Sequence, residues 1–561
     1  MHESEETDRR TFLKYAGAAA TGATLSTAGC VGGDDDDNQS ENGGENGGEN
    51  GGENGGENGG ENGGENGGEN GMDNGGENGG ESGVQSVTVT QGAFPDNLDP
   101  VKDNSTPTYN VIDQAYEPFL YRSKESGEPI GRVMDEFERI DESTVELGLS
   151  DGVTLHNGDE CTTEDIAFSI NRANNPDVSE VAAVIGAIDE AVAVDDTTVE
   201  LNLNAAVPVI FRNLGAFGRV TQQSFIEDDS IDATTNINGT GPYQLVSNEE
   251  GSFVEYEAFE DYWGDQPDIP GCRFNGRSEP GARVDALEAG ESDVISAVPP
   301  TEMAGLRDAS GVTAASVPSI RSIFLVMNDI KEPFTNVQFR RAMNYAVDVQ
   351  AIIDNVLEGF GNQTAQPTLA GQNGHNPDIE SYPFDPDQAE SLVEESGFAG
   401  AEITVDVPTG RYVGGVNVAE SAAGQIDSLS NVSCSANRRD FGTLVGEIFA
   451  PEQSAAPAFY LIGWGVPTLD ADYAMRDWFG PDANSKMAND EQIEDLLEQA
   501  SNTTDPDERV DVLQQANARA RDQAYRVFLH QQFSLYGYNN DIAWDPRSDE
   551  DILVEEMSSA Q

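Results

Sequence analysis

The sequence predicts an α/β or mixed α and β fold with two or more lobes, preceded by a tract that cannot fold by itself. Three observations predict this. The chain has 561 residues, and single hydrophobic cores stop growing at roughly 250–300 residues. From residue 84 onward, segments with the alternation of strands interleave with segments of helical period. Residues 32–83 are mainly Glu-Asn-Gly-Gly units with almost nothing apolar to bury.

The charge balance is strongly acidic. The chain has 103 Asp and Glu against 29 Lys and Arg, a formal net charge of −74. Residues 34–81 hold 15 acidic and no basic residues, so most of the excess lies in the part expected to fold. Multimolar salt screens such self-repulsion, so we interpret the chain as a halophile's protein; a merely acidic protein is the alternative. Nucleic acid is not expected as a partner, because binding it requires clustered Lys and Arg.

The first thirty residues are predicted to be an export signal. Arg9-Arg10 precede Phe12-Leu13-Lys14 and a weakly apolar run, a pattern that resembles a twin-arginine signal. The small residues that end at Cys30 resemble a lipoprotein cleavage site. Cys30 is therefore predicted to be the lipidated first residue of a chain anchored at the extracellular face of the membrane. No later stretch has about 18 uninterrupted apolar residues, so no transmembrane helix is expected.

The tract over residues 31–83 is predicted to be a disordered linker, with a phase-separating or ion-binding tract as the alternative. Beyond Cys30, the three cysteines Cys161, Cys272 and Cys434 are an odd number without C-x-x-C spacing. They support neither a disulfide framework nor a zinc site, although one bridge among them stays open. The four histidines are scattered, and no metal or cofactor is predicted.

Local patterns predict particular elements of the folded part. Val84–Thr90 alternates like a strand. Thr144–Leu149 is a second strand, which Asp151-Gly152 is predicted to turn into a hairpin. The helix predictions are a capping box at Thr162 and Asp165, an amphipathic helix over residues 336–357, a helix opened by Asp385-Pro386 and stopped by Gly397, and a long helix from Asp505-Pro506 toward Phe528.

The usual catalytic motifs are missing from the sequence. There is no G-x-S-x-G elbow, no H-E-x-x-H pair, no Walker loop and no dinucleotide fingerprint. Paired carboxylates indicate nothing here, because Asp and Glu are abundant everywhere. No catalytic residue is predicted; an extracytoplasmic enzyme and a structural surface protein remain as alternative functions.

An ordered set of short motifs resembles the family 5 extracellular solute-binding proteins, the receptors of peptide, nickel and oligosaccharide importers. Each motif alone is weak, and most have an ordinary role in turns or helices, so the resemblance depends on the whole set. The set is Asn97–Pro100, Tyr116–Phe119, Asp151–Val153, His156–Gly158, Thr163–Ser169, Gly239–Tyr243, Asp261–Gly264, Ala286–Val294, Met327–Asn328, Pro333–Phe334, Arg340–Asp348 and Gly463–Trp464.

The resemblance implies a two-lobed periplasmic-binding-protein-like fold of the α/β class, with a hinge, a buried cleft and an extra N-terminal subdomain. It also implies that the lobes close around a small-molecule solute without chemistry, that the partners are the permease and ATPase subunits of an ABC transporter, and that the protein is a monomer. The predicted divisions are 1–30 (signal), 31–83 (linker), 84–112, 238–325 and 533–561 (first lobe), 113–237 (extra subdomain) and 326–532 (second lobe).

Two segments supply the candidate ligand contacts. In the family, the exit of the apolar strand that ends at Trp464 faces the cleft, and an aromatic ring there suits stacking on a ligand; a core position is the alternative. Asp470 and Asp472 follow in the next loop, with ordinary surface acids as the alternative. Arg411 and Tyr412 are the other candidates, because arginine is scarce here and its planar fork binds carboxylates. For Arg411 the alternative is a salt bridge to a surface acid.

The class of ligand stays open at this stage. The resemblance implies that peptide receptors carry an Asp a few residues after the Gly-Trp, where its carboxylate pairs with the α-amino group of the peptide. Pro467 stands at that position, and a proline supplies neither charge nor donor. An ordinary dipeptide is therefore disfavoured, unless Asp470 takes over the role. A sugar and a metal chelate are the other classes.

Overall fold

The computed structural model describes residues 83–95, 97–124, 126–185, 187–409, 411–450, 452–480 and 488–561. Residues 83–561 belong to one compact unit. The predicted signal, the lipidation site at Cys30 and nearly all of the linker lie outside the described residues, so these predictions stay open.

Nineteen strands are present in the described part of the chain. In chain order they are β1 Val87–Gln91, β2 Tyr121–Arg122, β3 Pro129–Ile130, β4 Met134–Arg139, β5 Thr144–Leu149, β6 Ile188–Ala193, β7 Thr198–Leu203, β8 Tyr243–Glu249, β9 Phe253–Ala258, β10 Gly271–Gly276, β11 Val294–Ser296, β12 Val312–Met327, β13 Gly361–Gln363, β14 Ala401–Pro408, β15 Val432–Arg439, β16 Phe459–Gly465, β17 Arg526–Asn539, β18 Ile542–Ala543 and β19 Ser558–Ser559.

Fifteen α-helices alternate with these strands over the same residues. They are α1 Thr106–Ile112, α2 Thr163–Ala173, α3 Ala182–Ile185, α4 Ile210–Phe217, α5 Gln223–Ile226, α6 Pro280–Glu288, α7 Met303–Asp308, α8 Val337–Ala346, α9 Val349–Asn355, α10 Pro386–Ser396, α11 Gly415–Asp427, α12 Phe441–Ile448, α13 Ala471–Phe479, α14 Glu491–Asn502 and α15 Pro506–Asp522. The predicted α/β class is confirmed.

One mixed sheet of eleven strands organises the described residues. Its order is β15-β14-β16-β12-β17-β11-β1-β10-β9-β8, with β13 added beside β17. A separate antiparallel sheet has the order β4-β5-β7-β6. β5 therefore pairs with β4 and β7, and the predicted hairpin through Asp151-Gly152 is wrong. After that turn the chain makes only an isolated bridge, from Thr154 to Glu160.

The long strands β12 and β17 connect the two halves of the large sheet. One end of β17 pairs with β11, through Tyr536–Tyr538. Toward its other end, β12 pairs with β16 from Arg321 to Met327. Between these regions the pairing of β12 and β17 is interrupted, because β12 places Ser319–Arg321 opposite a single residue of β17. Such a bulge bends the strand and increases its twist, so the two halves meet at an irregular crossing.

The hydrophobic cores follow the same division. One cluster joins residues from Val87 through Val294 with residues 536–557, and two others are built from residues 323–529. The segment around Ile552 and Val554 thus packs with the first half. Its backbone N–H groups donate to the side chains of Asn110 at 2.9 Å and Gln114 at 3.0 Å.

Most predicted helix starts are confirmed, but two lengths are wrong. The capping box of Thr162 and Asp165 opens α2. The predicted helix over residues 336–357 is two helices, because the chain leaves the helical conformation at Val347 and Asp348 caps α9 anew. α15 ends at Asp522, short of the expected Phe528, since the residues from Arg526 onward pair in the central sheet as β17. Both departures reflect tertiary packing that overrides a local pattern.

Candidate functional site

A salt bridge joins the two halves beside the irregular crossing of β12 and β17. Arg321 Nη2 lies 2.8 Å from Glu550 Oε2, and each side chain is 11% exposed. Arg321 belongs to the bulge of β12, whereas Glu550 precedes the segment that packs with the first half. The other oxygen, Glu550 Oε1, is buried and has no hydrogen-bond partner among the described residues. It is a buried acceptor. Burial acts to raise the pKa of this carboxylate, but mainly the charge of Arg321, and also Ser319, lower it.

Arg411 lies beside this salt bridge and has no ion pair of its own among the described residues. Its guanidinium is centred 5.4 Å from the ring of Tyr412 and 5.5 Å from the ring of Phe441. Within the described ranges it makes no ion pair or hydrogen bond, so the predicted alternative of a surface salt bridge finds no support. Burial, and then the positive charge of Arg321, lower the pKa of Arg411. A half-buried, unpaired guanidinium is costly, and an anion would relieve that cost.

The aromatic rings of Tyr412 and Trp464 form one side of the same region. The Tyr412 hydroxyl donates to the carbonyl of Gly463 at 3.2 Å. Gly463 permits this contact, because a Cβ there would lie 2.7 Å from the tyrosine ring. Trp464, opposite Ser322 of β12, is half-buried. Its ring stacks on Tyr473 with centroids 6.0 Å apart. We call the group of Arg321, Arg411, Tyr412, Trp464 and Glu550 the cleft face.

Asp470 has a different environment from the cleft face. Its carboxylate is 1% exposed and accepts four hydrogen bonds. Two come from Arg509 at 2.7 and 2.8 Å, one from Asn373 at 2.7 Å and one from the backbone N–H of Asp472 at 2.9 Å. A carboxylate has about four acceptor positions, so Asp470 keeps none for a ligand ammonium. Burial acts to raise its pKa, but the hydrogen bonds and charge of Arg509 outweigh burial and lower it.

Asp472 pairs with Arg476 one helical turn later in α13, with its Oδ2 2.9 Å from Nε. Both residues, with Asp470, line a cavity of about 280 Å³ that lies between residues 184–213 and residues 468–509. Arg411, Tyr412 and Trp464 do not line it. The structure thus brings three of the predicted residues together on the cleft face. It places Asp470 and Asp472 beside a cavity that adjoins this face through Tyr473, which lines the cavity and stacks on Trp464.

Pro467, which stands where a peptide receptor is expected to carry an acid, contacts a cation of the protein itself. Arg122 Nη1 donates to the carbonyl of Pro467 at 2.8 Å. The same guanidinium makes an ion pair with Asp551, and its Nη2 lies 3.5 Å from Asp549. The neighbourhood of Pro467 is therefore already occupied by a neutralised guanidinium.

A family model matches residues 128–486, well over half of the chain, under the description bacterial extracellular solute-binding proteins, family 5 Middle. The chain belongs to this family of solute-binding proteins. The glutathione-binding protein GsiB of Salmonella paratyphi A is 24% identical over 449 residues, covering 77% of this chain and 86% of its own length. The family's name describes binding rather than catalysis, in agreement with the prediction of a solute-binding receptor.

Solved structures with the same fold agree. The ABC transporter-associated periplasmic binding protein DppA of Helicobacter pylori, in complex with peptide STSA, has a TM-score of 0.74 at 18% identity, over 85% of this chain and 98% of its own. NikA of Staphylococcus aureus, in complex with Ni(L-His)2, has a TM-score of 0.72 at 16% identity, over 85% and 100%. These similarities confirm the two-lobed periplasmic-binding-protein-like fold.

Three site features were missed by the sequence analysis. Arg321 gave a weak signal, as an arginine inside an apolar strand. Room for its guanidinium comes from Gly465, where a Cβ would lie 3.0 Å from Nη2. Glu550 gave no signal in the sequence, because it lies in a run of acidic residues. In the structure its backbone has a positive φ of 72°, which a non-glycine residue rarely adopts. The partner of Pro467, Arg122, is 345 residues away in sequence.

Other candidate chemistry finds little support in the described residues. Cys161, Cys272 and Cys434 are each buried with a free thiol, and burial raises the pKa of Cys434 to about 12. No cluster of three or more His, Cys, Asp or Glu side chains there could hold a metal ion. None of the helices in the same residues has the length and apolar character needed to cross a membrane.

Proposed function

We propose that this family 5 protein captures an organic anion without a free α-amino group and delivers it to the permease and ATPase subunits of an ABC importer. The observation that carries the proposal is the unpaired guanidinium of Arg411, half-buried between two aromatic rings and beside the Arg321–Glu550 salt bridge. A ligand carboxylate would accept charge-assisted hydrogen bonds from Arg411. A ligand hydroxyl or N–H would donate to Glu550 Oε1.

The proposed absence of a ligand ammonium rests on how the protein's own acids are paired. Such an ammonium needs a buried negative partner. Asp470 has its four acceptor positions filled by the protein. Pro467 offers only a carbonyl, which already accepts from Arg122. The relatives named above bind glutathione, a peptide and a nickel chelate of histidine. We therefore retain a blocked peptide, an acidic sugar and a metal chelate as candidate solutes.

Transport would use closure of the two lobes and no chemical step. The halves share the strands β12 and β17, whose bulge is where we expect bending. A ligand that contacts Arg411 from the second half and Glu550 from the first would favour the closed arrangement by its additional contacts there. The energy of import would come from the partner ATPase. We expect the binding protein to act as a monomer.

The ligand is best identified by mass spectrometry of small molecules released when the purified protein is denatured. Calorimetry with the identified compound then tests the site. We expect Arg411→Gln to weaken binding strongly, and Arg438→Gln, at an exposed pair with Glu420, to serve as the matched control. Equal affinity of Arg411→Gln and the wild type would refute the proposed carboxylate contact. Turnover of the compound by the isolated protein would instead favour an extracytoplasmic enzyme.

A paired titration tests the predicted rejection of amines. We expect N-acetyl-trialanine to bind at least as tightly as trialanine. Only the free tripeptide brings an ammonium, Asp470 and Pro467 have no free acceptor for it, and the charge of Glu550 is already paired with Arg321. Substantially tighter binding of trialanine would exclude the proposed ligand class while leaving the receptor function intact.

We further propose that Cys30 carries the lipid anchor after export through a twin-arginine route, as the order of Arg9-Arg10 and Cys30 indicates. Expressed in a halophilic host, Cys30→Ser should move the protein from the membrane to the medium. Unchanged retention at the membrane would contradict the anchor.

The proposed halophilic origin has its own test. A chain with a net charge of −74 should lose secondary structure when salt is removed, and circular dichroism measures this loss.

A further inference from the structure

The cavity of about 280 Å³ beside α13 continues the cleft face. Tyr473 lines the cavity, and its ring stacks on the ring of Trp464 with centroids 6.0 Å apart. Burial raises the pKa of the Tyr473 hydroxyl, and the positive charge of Arg321, a cleft-face residue, partly opposes that rise. One ligand therefore has access to both the cleft face and the cavity.

One wall of the cavity is apolar and comes from the first half of the chain. It consists of the side chains of Val184, Ala187, Ala205, Val207, Pro208 and Val209. Ala205 is exposed and the other five are only half-buried, so the protein itself leaves part of this apolar surface uncovered. Removing apolar surface from water is favourable. The wall therefore favours an apolar group of a ligand.

The opposite wall comes from the second half and is charged, but its charges are paired within the protein. Asp470 accepts two hydrogen bonds from Arg509, and Asp472 accepts one from Arg476 at 2.9 Å. Asp477, which also lines the cavity, has a partner within the chain as well. Paired groups of this kind have little charge or hydrogen-bonding capacity left for a ligand ion. We expect no ionic group of the ligand in the cavity.

The cleft face and the cavity thus differ in the chemistry that they offer a ligand. Arg411 on the cleft face makes no ion pair of its own among the described residues, whereas the uncovered surface of the cavity is apolar. A ligand that suits both parts has an anionic end and an apolar end. An acidic sugar and a metal chelate are polar over most of their surface. A peptide blocked by an aliphatic acyl group has both ends.

We propose that the solute is an N-acylated peptide whose carboxylate binds Arg411 and whose short aliphatic acyl group lies in the cavity, against the wall formed by residues 184–209. This assignment rests on the proposed function, because it requires the carboxylate contact at Arg411, and it narrows the three candidate classes to one. The apolar wall belongs to the first half and Arg411 to the second. The same ligand therefore contacts both halves and favours their closure.

Calorimetry of the whole protein at high salt, with trialanine carrying an N-acetyl, N-propanoyl, N-butanoyl or N-hexanoyl group, tests this assignment. The four peptides have the same carboxylate and differ only in the length of the acyl chain. We expect the dissociation constant to fall by about two- to fourfold for each added methylene, as the burial of that group in an apolar site predicts. Equal affinity for the acetyl and hexanoyl peptides would overturn the acyl site and leave the anion receptor intact.

Two substitutions in the apolar wall test where the acyl chain binds. Val207 has a φ of 34°, and asparagine adopts positive φ more readily than valine, so Val207→Asn should fold while making the wall polar. Ala205→Phe, at an exposed position, should fill part of the cavity. Each should weaken binding of the hexanoyl peptide by about tenfold and that of the acetyl peptide by less than about twofold. Val194→Phe, at a position 57% exposed and outside the lining, is the control and should bind both peptides like the wild type.

The remaining outcomes separate the acyl site from the carboxylate contact. Equal weakening of the acetyl and hexanoyl peptides by the wall variants would overturn the placement of the acyl chain in the cavity. If affinity rises with chain length but Arg411→Gln binds the hexanoyl peptide like the wild type, the carboxylate contact is refuted, and the proposed orientation with it. No binding of any of the four peptides would overturn the N-acylated class, whereas the compound released from the purified protein still decides the proposed function.

Discussion

Arg509 and Arg411 are two arginines of the same half of the chain in opposite electrostatic situations. Arg509 is buried and makes a bidentate ion pair with Asp470, which also caps α13. Arg411 is half-buried between two aromatic rings and makes no ion pair of its own in the described residues, although the Arg321–Glu550 salt bridge lies beside it. The first arrangement satisfies both charges and stabilises the fold. The second leaves a charge that, in the proposed function, a ligand neutralises, so pairing, and not residue type, is the proposed distinction between structural and binding residues.

The largest expected effect is a loss of unfolding free energy when the ion pair of Asp470 and Arg509 is broken. Asp470→Asn removes the negative charge and leaves Arg509 buried without compensation, which should cost about 3–5 kcal/mol of unfolding free energy. Denaturant unfolding at high salt measures this. Asp472→Asn is the control, because its partner Arg476 is 37% exposed and such pairs contribute only about 0–1 kcal/mol. Similar losses of unfolding free energy in the two variants would contradict the expected special role of the buried Asp470–Arg509 pair.

A pH series should separate stability from binding. Burial lowers the pKa of His530 to about 4, below its ordinary value of 6.5. Between these values the unfolded chain binds a proton that the folded chain does not, so stability is lost as pH falls from about 6.5 to 4. The contribution is about 3 kcal/mol. Comparing the wild type with His530→Gln isolates it from the carboxyl groups that titrate nearby. An identical pH dependence in both would contradict it, whereas Arg411 stays charged throughout.

At Arg411, which makes no ion pair in the described residues, the expected effect of a substitution is on ligand affinity. Arg411→Gln should cost about 1.5–3 kcal/mol of binding free energy, the value of hydrogen bonds to a charged group. The variant's stability should be unchanged or slightly raised, since an uncompensated charge is removed. Calorimetry and thermal unfolding of the same sample check both statements. A large loss of stability would mean that Arg411 is a structural residue after all.

The smallest effect is expected at Tyr412. Tyr412→Phe removes the hydroxyl that donates to Gly463 at 3.2 Å and keeps the ring beside Arg411. The loss should be about 0.5–1.5 kcal/mol of stability, with ligand affinity changed by less than in Arg411→Gln. If affinity falls as far as in the arginine variant, the hydroxyl contacts the ligand and the cleft face extends further than described.

The sequence predicted the class of fold and several helix starts, because caps such as Thr162 with Asp165 are local. It also selected Arg411, since a rare residue type is informative in an acidic chain. It could not separate Asp470 from the other acids. The partner of Asp470 is 39 residues away, and nothing in the local pattern reveals that a carboxylate will be fully paired. Glu550 could not be identified for the same reason, because its partner Arg321 is 229 residues earlier in the sequence.

The segment containing Glu550, Ile552 and Val554 is made more than 430 residues after Asn110, yet it completes a core begun at Val87. The side chains of Asn110 and Gln114 accept hydrogen bonds from backbone N–H groups more than 430 residues downstream. During synthesis, the first half therefore cannot reach its final packing, nor the cleft face its acid, until that segment has emerged from the ribosome. A chain interrupted shortly before residue 550 should expose part of its first core and become a substrate for proteases, whatever solute is present.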